Sequence, residues 1–182
     1  MIRCIDFFAA FFGLLILWPV LLLVTIIGIF DTGAPIFVQE RVGRNKRPFK
    51  LIKFRTMSVD TQSVASHLSS NSSITKLGVF LRKTKIDELP QLVNVLKGEM
   101  SLVGPRPNLF NQTELIKERD TKGVYDVLPG ITGLAQVQNI DMSTPELLAL
   151  TDKQMIDTLT LKDYFKYIIM TATGSGSGDA VK

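Results

Sequence analysis

Two acidic residues stand next to each other near the middle of the chain, directly after a cluster of cations. They are Asp87 and Glu88, preceded by Arg82, Lys83 and Lys85. Adjacent carboxylates repel each other and titrate separately unless a cation intervenes. A divalent metal relieves this repulsion, and hard oxygen ligands suit Mg²⁺. The pair is consistent with a Mg²⁺ site, but acids at the start of a helix are also ordinary capping residues.

The scarcity of other reactive side chains narrows the chemistry. The chain has one cysteine, Cys4, and one histidine, His67. An intrachain disulfide framework is therefore excluded, and a Cys/His zinc site is not expected. A serine triad would need His67, which lies in a serine-rich stretch. An acid is then the natural candidate for a nucleophile, because aspartate can attack phosphorus and form an acyl phosphate.

Two further groups of cations fit phosphate recognition. Pro105 and Pro107 fix the backbone on either side of Arg106, and a rigidly presented guanidinium suits bidentate binding of phosphate. Lys53 and Arg55 add two more positive charges. Arg106 could equally be a structural arginine in a loop. Together with the apolar N-terminus, these groups suggest phosphoryl transfer onto or from a lipid.

The N-terminal segment must place this chemistry near a membrane. No charged residue occurs from Phe7 to Phe30, a stretch that as a helix is about 36 Å long and can cross a hydrocarbon core of about 30 Å. With Pro19 in its middle, the residues alone favour a kinked spanning helix over a re-entrant helix–break–helix hairpin. Residues 41–55 carry seven Lys or Arg and no acid, which predicts a cytoplasmic globular part.

The pattern of the residues after the N-terminal segment predicts an α+β fold that is mainly helical. Strands at 36–42 and 49–54, joined by a turn at 43–48, form a basic β-hairpin. Residues 58–75 read as a surface loop or as a loop that closes over substrate. Helices are expected from Leu77 toward Lys85, from Pro90 to Lys97 with Gly98 after it, over 109–120, from Pro145 with Thr144 as N-cap, and from Leu159 to Met170.

Two loops and the last helix complete this reading. Residues 101–107 are expected to be a rigid extended loop, residues 128–135 a turn-rich loop, and residues 174–182 a flexible tail. The last helix has apolar residues at helical spacing, which pack on the core or lie on the membrane surface. These residues are Leu161, Tyr164, Phe165, Ile168 and Ile169.

Five segments in this order resemble the bacterial sugar transferase family, the monotopic phosphoglycosyl transferases. The segments are Ala34–Gly43 (APIFVQERVG), Lys53–Met57 (KFRTM), Leu81–Leu96 (LRKTKIDELPQLVNVL), Gly98–Pro107 (GEMSLVGPRP) and Leu128–Val137 (LPGITGLAQV). They follow a hydrophobic segment, and the chain is similar in length to the minimal members of the family.

The resemblance implies a reaction. A phosphosugar passes from a UDP-sugar to polyprenol (undecaprenyl) phosphate, giving UMP and a polyprenyl-diphosphate sugar, as the first membrane step of a bacterial glycan pathway. Asp87 matches the nucleophile that forms a covalent phosphosugar intermediate. Glu88 matches its partner acid, which is associated with Mg²⁺ and with handling the acceptor. The two acids are thus the expected catalytic residues and Mg²⁺ ligands.

The resemblance also implies binding residues and a topology. Lys53, Arg82 and Arg106 match family cations that fit the donor diphosphate or acceptor phosphate. Arg55 is a further candidate because of its charge and its place beside Lys53, not because of the family match. Gln136 is expected near the nucleotide or sugar. The family has a re-entrant membrane helix, here residues 1–30, broken near a proline that Pro19 matches. The domain at 31–173 then lies on the cytoplasmic face of the bacterial inner membrane, with amphipathic helices along the inner leaflet.

Two rival functions remain at the level of sequence. A membrane phosphatase or pyrophosphatase would use Asp87 but transfer the phosphoryl group to water, and a non-enzymatic anchor in a glycan assembly complex would not need Asp87 at all. The sugar, the glycan and the oligomeric state stay open, with a homo-oligomer among the alternatives. No nucleic-acid partner is expected.

Overall fold

The computed structural model describes residues 2–61 and 73–174. Its helices and strands, in chain order, are α1 (Ile2–Thr32), β1 (Ile36–Val42), β2 (Pro48–Phe54), α2 (Lys76–Thr84), α3 (Gln91–Lys97), β3 (Ser101–Val103), α4 (Thr113–Thr121), β4 (Gly130–Thr132), α5 (Leu134–Val137), α6 (Pro145–Thr158) and α7 (Leu161–Ala172). The predicted α+β class, mainly helical with small sheets, is confirmed. Most of the loop predicted at 58–75, including His67, and the tail after residue 174 lie outside the described residues.

The described chain forms two compact units. The first unit contains residues 2–39, 50–61 and 73–97, and the second contains residues 40–49 and 98–174. The strands β1 and β2 form one two-stranded sheet, and β3 and β4 form another. The predicted hairpin is thus confirmed, with β1 at its expected bounds. Its open end belongs to the first unit and its turn to the second.

Helix α1 is long and apolar enough to cross a membrane. It runs through Pro19 without interruption, so the predicted break in the helix is not observed, and the re-entrant topology stays a prediction. One stripe of the helix is buried within the first unit, and its members are Asp6, Ala10, Val24 and Gly28. The rest of its surface exposes large apolar side chains, among them Phe8, Ile16 and Trp18.

Both halves of α1 contact the first unit. Near its start, the Arg3 guanidinium donates to the carbonyl oxygens of Val95 and Leu96 at the end of α3. An arginine at this place satisfies carbonyls that have no partner within their own helix. In its second half, Val24 belongs to a buried cluster with Phe54 and Leu81. One side of α1 is therefore occupied by protein along most of its length.

In the second unit, a close backbone approach joins the two segments that were predicted to be loops. Strands β3 and β4 are parallel, with Ser101 opposite Gly130 and Val103 opposite Thr132. A Cβ atom on Gly130 would lie 2.0 Å from the Gly104 nitrogen, so only glycine fits there. The prediction of loops at 101–107 and 128–135 is therefore corrected at these three-residue strands.

Helix α4 begins at Thr113, four residues later than the predicted range of 109–120. The Gln112 side chain accepts a hydrogen bond from the Leu109 amide at 2.9 Å, which closes a turn where the helix was expected to start. Helix α6 begins at Pro145 as predicted, but the Thr144 side chain makes no capping bond to the helix. Its hydroxyl donates to the Asp141 carbonyl instead.

Helix α7 divides its predicted apolar residues between two environments. Tyr164 is buried within the second unit, as is Tyr167, which was not among the predicted residues, and the Thr160 side chain caps the helix. Leu161, Phe165 and Ile169 are exposed. Of the two expected environments, Tyr164 therefore has the core, and these three residues are left for the alternative of a membrane surface.

Candidate active site

The acid pair lies in the first unit, on a single 3₁₀ turn formed by Ile86–Glu88. Lys85 lies between α2 and this turn and has a positive φ of 59°, which ends the helix. The turn is followed by Pro90 and α3. Both acids are buried, since Asp87 is 2% exposed and Glu88 is 5% exposed. Both carboxylates are thus shielded from solvent, and the alternative of a capping role stays a prediction.

Burial makes the adjacent carboxylates energetically unusual. A buried charge is tolerated only where other groups compensate it, and two neighbouring carboxylates raise that demand further. Such arrangements cluster at functional sites because they prepare a group for chemistry. Asp87 and Glu88 are therefore candidates for a reaction centre, and their catalytic role stays a prediction.

The cation of α2 is held within the same unit. The Arg82 Nε donates to the Thr56 hydroxyl at 2.9 Å, and Lys85, which opens the acid turn, donates its amide to the Arg82 carbonyl. A Cβ atom on Gly78 would lie 2.0 Å from the Thr56 carbonyl oxygen, so α2 lies directly against the chain after β2. The close approach fixes Arg82 relative to Thr56.

Lys53 and Arg55 meet at one aromatic ring. The Lys53 Nζ lies 5.7 Å from the centre of the Phe37 ring, and the Arg55 guanidinium carbon lies 5.2 Å from it. The Arg55 Nε also donates to the Ala34 carbonyl at 2.8 Å. The aromatic face and the carbonyl orient two like charges that would otherwise separate. The first unit thus contains five of the seven predicted site residues: Lys53, Arg55, Arg82, Asp87 and Glu88.

The other two predicted residues, Arg106 and Gln136, lie in the second unit. Arg106 follows β3, and its loop is tied to β4 by the Gly104 amide, which donates to the Thr132 carbonyl at 2.8 Å. The Gln136 Nε2 lies 3.5 Å from the Gly104 carbonyl oxygen. Gln136 therefore contacts the loop of Arg106, and its predicted contact with a nucleotide or sugar stays a prediction.

A buried polar network beneath the Arg106 loop was missed by the sequence analysis. The guanidinium of Arg119 pairs with Asp152, and it also binds the Arg106 carbonyl and the Asn108 side chain. The Tyr125 hydroxyl donates to the same Asn108 oxygen at 3.0 Å. Burial raises the pKa of Asp152 above its usual value although Arg119 opposes the shift, and burial also raises the pKa of Tyr125.

The sequence did contain a signal for this network. Asp152 occupies the apolar stripe of α6, between Ala149 and Met155, and Arg119 follows Leu115 by one helical turn on α4. A charge at a buried helical position requires a partner. Two such charges of opposite sign in one chain would have predicted the pair.

The donor set suits Mg²⁺ within limits. Among the residues that the structure describes, no group of three or more His, Cys, Asp or Glu side chains could hold a metal ion. Two carboxylates fit a Mg²⁺ ion that retains water and takes substrate phosphate oxygens as its other ligands. Asp87 and Glu88 are compatible with that kind of site. They are too few to bind Mg²⁺ through protein ligands alone.

A profile of the bacterial sugar transferase family matches residues 1–176. The chain belongs to this family. Relatives include the galactosyl transferase CpsE of Streptococcus agalactiae, which is 38% identical over 93% of this chain and 40% of its own length. The UDP-glucose:undecaprenyl-phosphate glucose-1-phosphate transferase of Caulobacter vibrioides is 36% identical over 93% of this chain and 67% of its own length.

A third relative, the uncharacterized sugar transferase EpsL of Bacillus subtilis, is 44% identical over 74% of this chain and 67% of its own length. Across the relatives that it matches, the chain spans about a third to three quarters of their length. The predicted resemblance is confirmed at the level of the family, and the acid pair and the Arg106 loop both fall within the matched range.

Proposed function

We propose that this chain is a phosphoglycosyl transferase that moves a phosphosugar from a UDP-sugar to undecaprenyl phosphate. The observation that carries the proposal is the buried Asp87–Glu88 pair, which lies in the same compact unit as the apolar helix α1. The printed activity of the Caulobacter relative, on UDP-glucose and undecaprenyl phosphate, supports the substrate classes. The product would be the first membrane-bound intermediate of a polysaccharide.

Asp87 is the proposed nucleophile. Its carboxylate oxygen attacks the phosphorus that carries the sugar, the bond from that phosphorus to the bridging oxygen breaks, and UMP leaves with the bonding electrons. A phosphate oxygen of undecaprenyl phosphate then attacks the same phosphorus. The bond to Asp87 breaks, which restores the carboxylate. The covalent intermediate lets one site serve a soluble donor and a lipid acceptor in turn.

The predicted cationic side chains are proposed to bind the anionic groups. Lys53, Arg55 and Arg82 supply positive charge in the first unit, and Arg106 offers a guanidinium between two prolines in the second. Asp87 and Glu88 are the residues that would hold Mg²⁺, and a bound Mg²⁺ would offset the charge of the donor diphosphate. Glu88 is proposed to assist the acceptor.

The packing of α1 supports a monotopic placement. A spanning helix whose two halves both contact one polar unit would draw that unit into the hydrocarbon region. Arg3, at the start of the helix, is bonded to the end of α3, and Val24 packs with Phe54 and Leu81. We therefore propose that α1 enters the inner leaflet from the cytoplasmic face, with its exposed apolar side in lipid. The basic hairpin then faces anionic headgroups.

The test is UMP release by the full chain in nanodiscs with Mg²⁺. UDP-glucose, UDP-galactose and UDP-N-acetylhexosamines are supplied with and without undecaprenyl phosphate. We expect release with one donor, dependent on the lipid and removed by EDTA. We expect Asp87→Asn to lose about 10³-fold or more of the rate, because a nucleophile is missing.

Two results would contradict the proposal. Release of UMP that does not need the lipid, accompanied by free sugar phosphate, would indicate a hydrolase instead. Full activity in Asp87→Asn would exclude the covalent mechanism. The matched control is Asp157→Asn, which removes an exposed carboxylate on α6 and should leave the rate unchanged.

A further inference from the structure

In the buried ion pair of the second unit, all three nitrogens of the Arg119 guanidinium donate hydrogen bonds. Arg119 is 1% exposed and Asp152 is 0% exposed. The Arg119 Nε and Nη2 donate to the same Asp152 oxygen, at 3.0 and 2.7 Å. This leaves Nη1 pointing to the other side of the guanidinium, where it meets the Arg106 loop.

At that side, Nη1 bridges two acceptors on either side of Pro107. It donates to the Arg106 carbonyl at 2.8 Å and to the Asn108 side-chain oxygen at 3.0 Å. Asn108 is itself buried, and its carbonyl accepts from the Val42 amide at 2.9 Å. The Arg41 Nη1 donates to the intervening Pro107 carbonyl at 3.1 Å. Three consecutive residues of the loop are thus tied by their carbonyl or side-chain oxygens.

These hydrogen bonds fix the ψ angle of Arg106, which the two prolines do not determine. Proline restrains its own φ and disfavours the helical region for the residue before it, but it does not set the ψ of that residue within the extended range. The direction of the Arg106 carbonyl reports this ψ, because the peptide unit is planar. By binding that carbonyl, Arg119 determines the direction in which the Arg106 main chain presents its side chain.

We propose that Arg119, held by Asp152, is a positioning residue that orients Arg106 for the donor diphosphate. The proposal rests on the function proposed above. Arg119 does not itself touch substrate, and it acts through the Arg106 carbonyl. The ion pair makes the geometry rigid, because a fork of donors fixed on Asp152 cannot rotate without breaking two bonds.

The decisive variant is Arg119→Lys. Lysine keeps a positive charge opposite Asp152, but a single ammonium cannot hold Asp152 and also bridge Arg106 and Asn108. The matched control is Asp120→Asn, at the next position of α4. Asp120 is half-exposed and pairs with Lys46 on the surface, so this change alters α4 without removing a hydrogen bond of the network.

The experiment measures kcat/KM for the donor in a cycle of Arg119→Lys, Arg106→Ala and the double variant. We expect Arg119→Lys to lower kcat/KM by about 10- to 100-fold, the size of effect that a small misplacement has at an active site. We expect no further loss when it is added to Arg106→Ala, because the group it positions is already gone. Multiplied losses in the double variant, or no loss in Arg119→Lys, would overturn the proposal.

Two further measurements keep the test decisive. If Arg119→Lys does not fold, Tyr125→Phe replaces it in the same cycle, since it removes one bond to Asn108 and retains the ion pair. We expect a smaller loss that again disappears in the Arg106→Ala background. An equal loss in both backgrounds would contradict positioning.

The positioning role can fail independently of the proposed reaction. If the wild-type chain releases no UMP with any donor, the proposed function fails, and binding of UDP alone by calorimetry replaces kcat/KM in the same cycle. Hydrogen exchange over residues 104–112 is compared in parallel between Arg119→Lys and Asp120→Asn. Faster exchange in Arg119→Lys, with weaker UDP binding that requires Arg106, supports the role. Unchanged exchange overturns it.

Discussion

In the first unit, the buried carboxylates Asp87 and Glu88 are neighbours in the chain and repel each other. In the second unit, the buried carboxylate of Asp152 faces the guanidinium of Arg119 at 2.7 Å. The two arrangements bury carboxylates to a similar degree: the first sets two like charges side by side, and the second is a matched pair of opposite charges. Adjacent buried like charges are typical of functional sites, whereas the Arg119–Asp152 pair joins α4 to α6.

The largest effect on stability is expected from breaking the matched pair. Arg119→Met should lower the free energy of unfolding by about 3–5 kcal/mol at neutral pH, because Asp152 is left buried without its cation. Burial already raises the pKa of Asp152 above the ordinary 3.8, and Arg119 opposes that shift. Its removal should raise this pKa further.

The sign of the pH dependence follows. A carboxyl whose pKa is raised by folding contributes stability below its unfolded pKa and loses it as pH rises through the folded pKa. The loss of unfolding free energy in Arg119→Met should therefore be small near pH 4 and should grow toward neutral pH. Denaturation in detergent across this range measures it. A deficit that is constant with pH would mean that Asp152 does not remain buried and unpaired in the variant.

An intermediate effect is expected where the first unit relies on close backbone packing. Gly78→Ala should destabilise by about 1–3 kcal/mol, because the new methyl group overlaps the Thr56 carbonyl and must push α2 away. The displacement would also separate Arg82 from Thr56 and reduce turnover. Gly13→Ala in α1 is the control, because its methyl group would lie 3.3 Å from the flexible end of Leu92. Equal losses in the two variants would argue against the close approach at Thr56.

These contacts show which features local sequence could predict. The helix after Pro90 and its end at Gly98 were correct, since Gly98 has a φ of 81° and each signal acts within a few residues. The bounds of β1 were also correct. The adjacency and the cationic surroundings of Asp87 and Glu88 made them candidates, although the nucleophilic role came from the family resemblance.

Long-range features could not be predicted in the same way. The pairing of β3 with β4 depends on Gly104 meeting Gly130, and strands of three residues carry little periodicity of their own. Arg119 and Asp152 are 33 positions apart, and each looks like a surface charge until its helical face is considered. The burial of Asp87 and Glu88 likewise depends on how α2 and α3 are packed rather than on the pair itself.

The smallest change in stability is expected at the acid pair, and it tests the comparison most directly. Asp87→Asn removes one of two buried like charges and keeps the size of the side chain. We expect the free energy of unfolding to stay within about 0.5 kcal/mol of wild type or to rise, as is common where a site is organised for function at the expense of stability. Thermal unfolding in detergent measures this beside the loss of UMP release.

Asp152→Asn provides the matched comparison, because it makes the same chemical change at the other buried carboxylate. It should destabilise the second unit, since the neutral amide leaves the Arg119 charge buried without its counter-ion. If Asp87→Asn were as destabilising as Asp152→Asn, Asp87 would belong to a structural ion pair rather than to a reaction centre. If both were neutral, the buried pair would not hold the Arg106 loop. Opposite outcomes at the two carboxylates are what the contrast between adjacent like charges and an ion pair predicts.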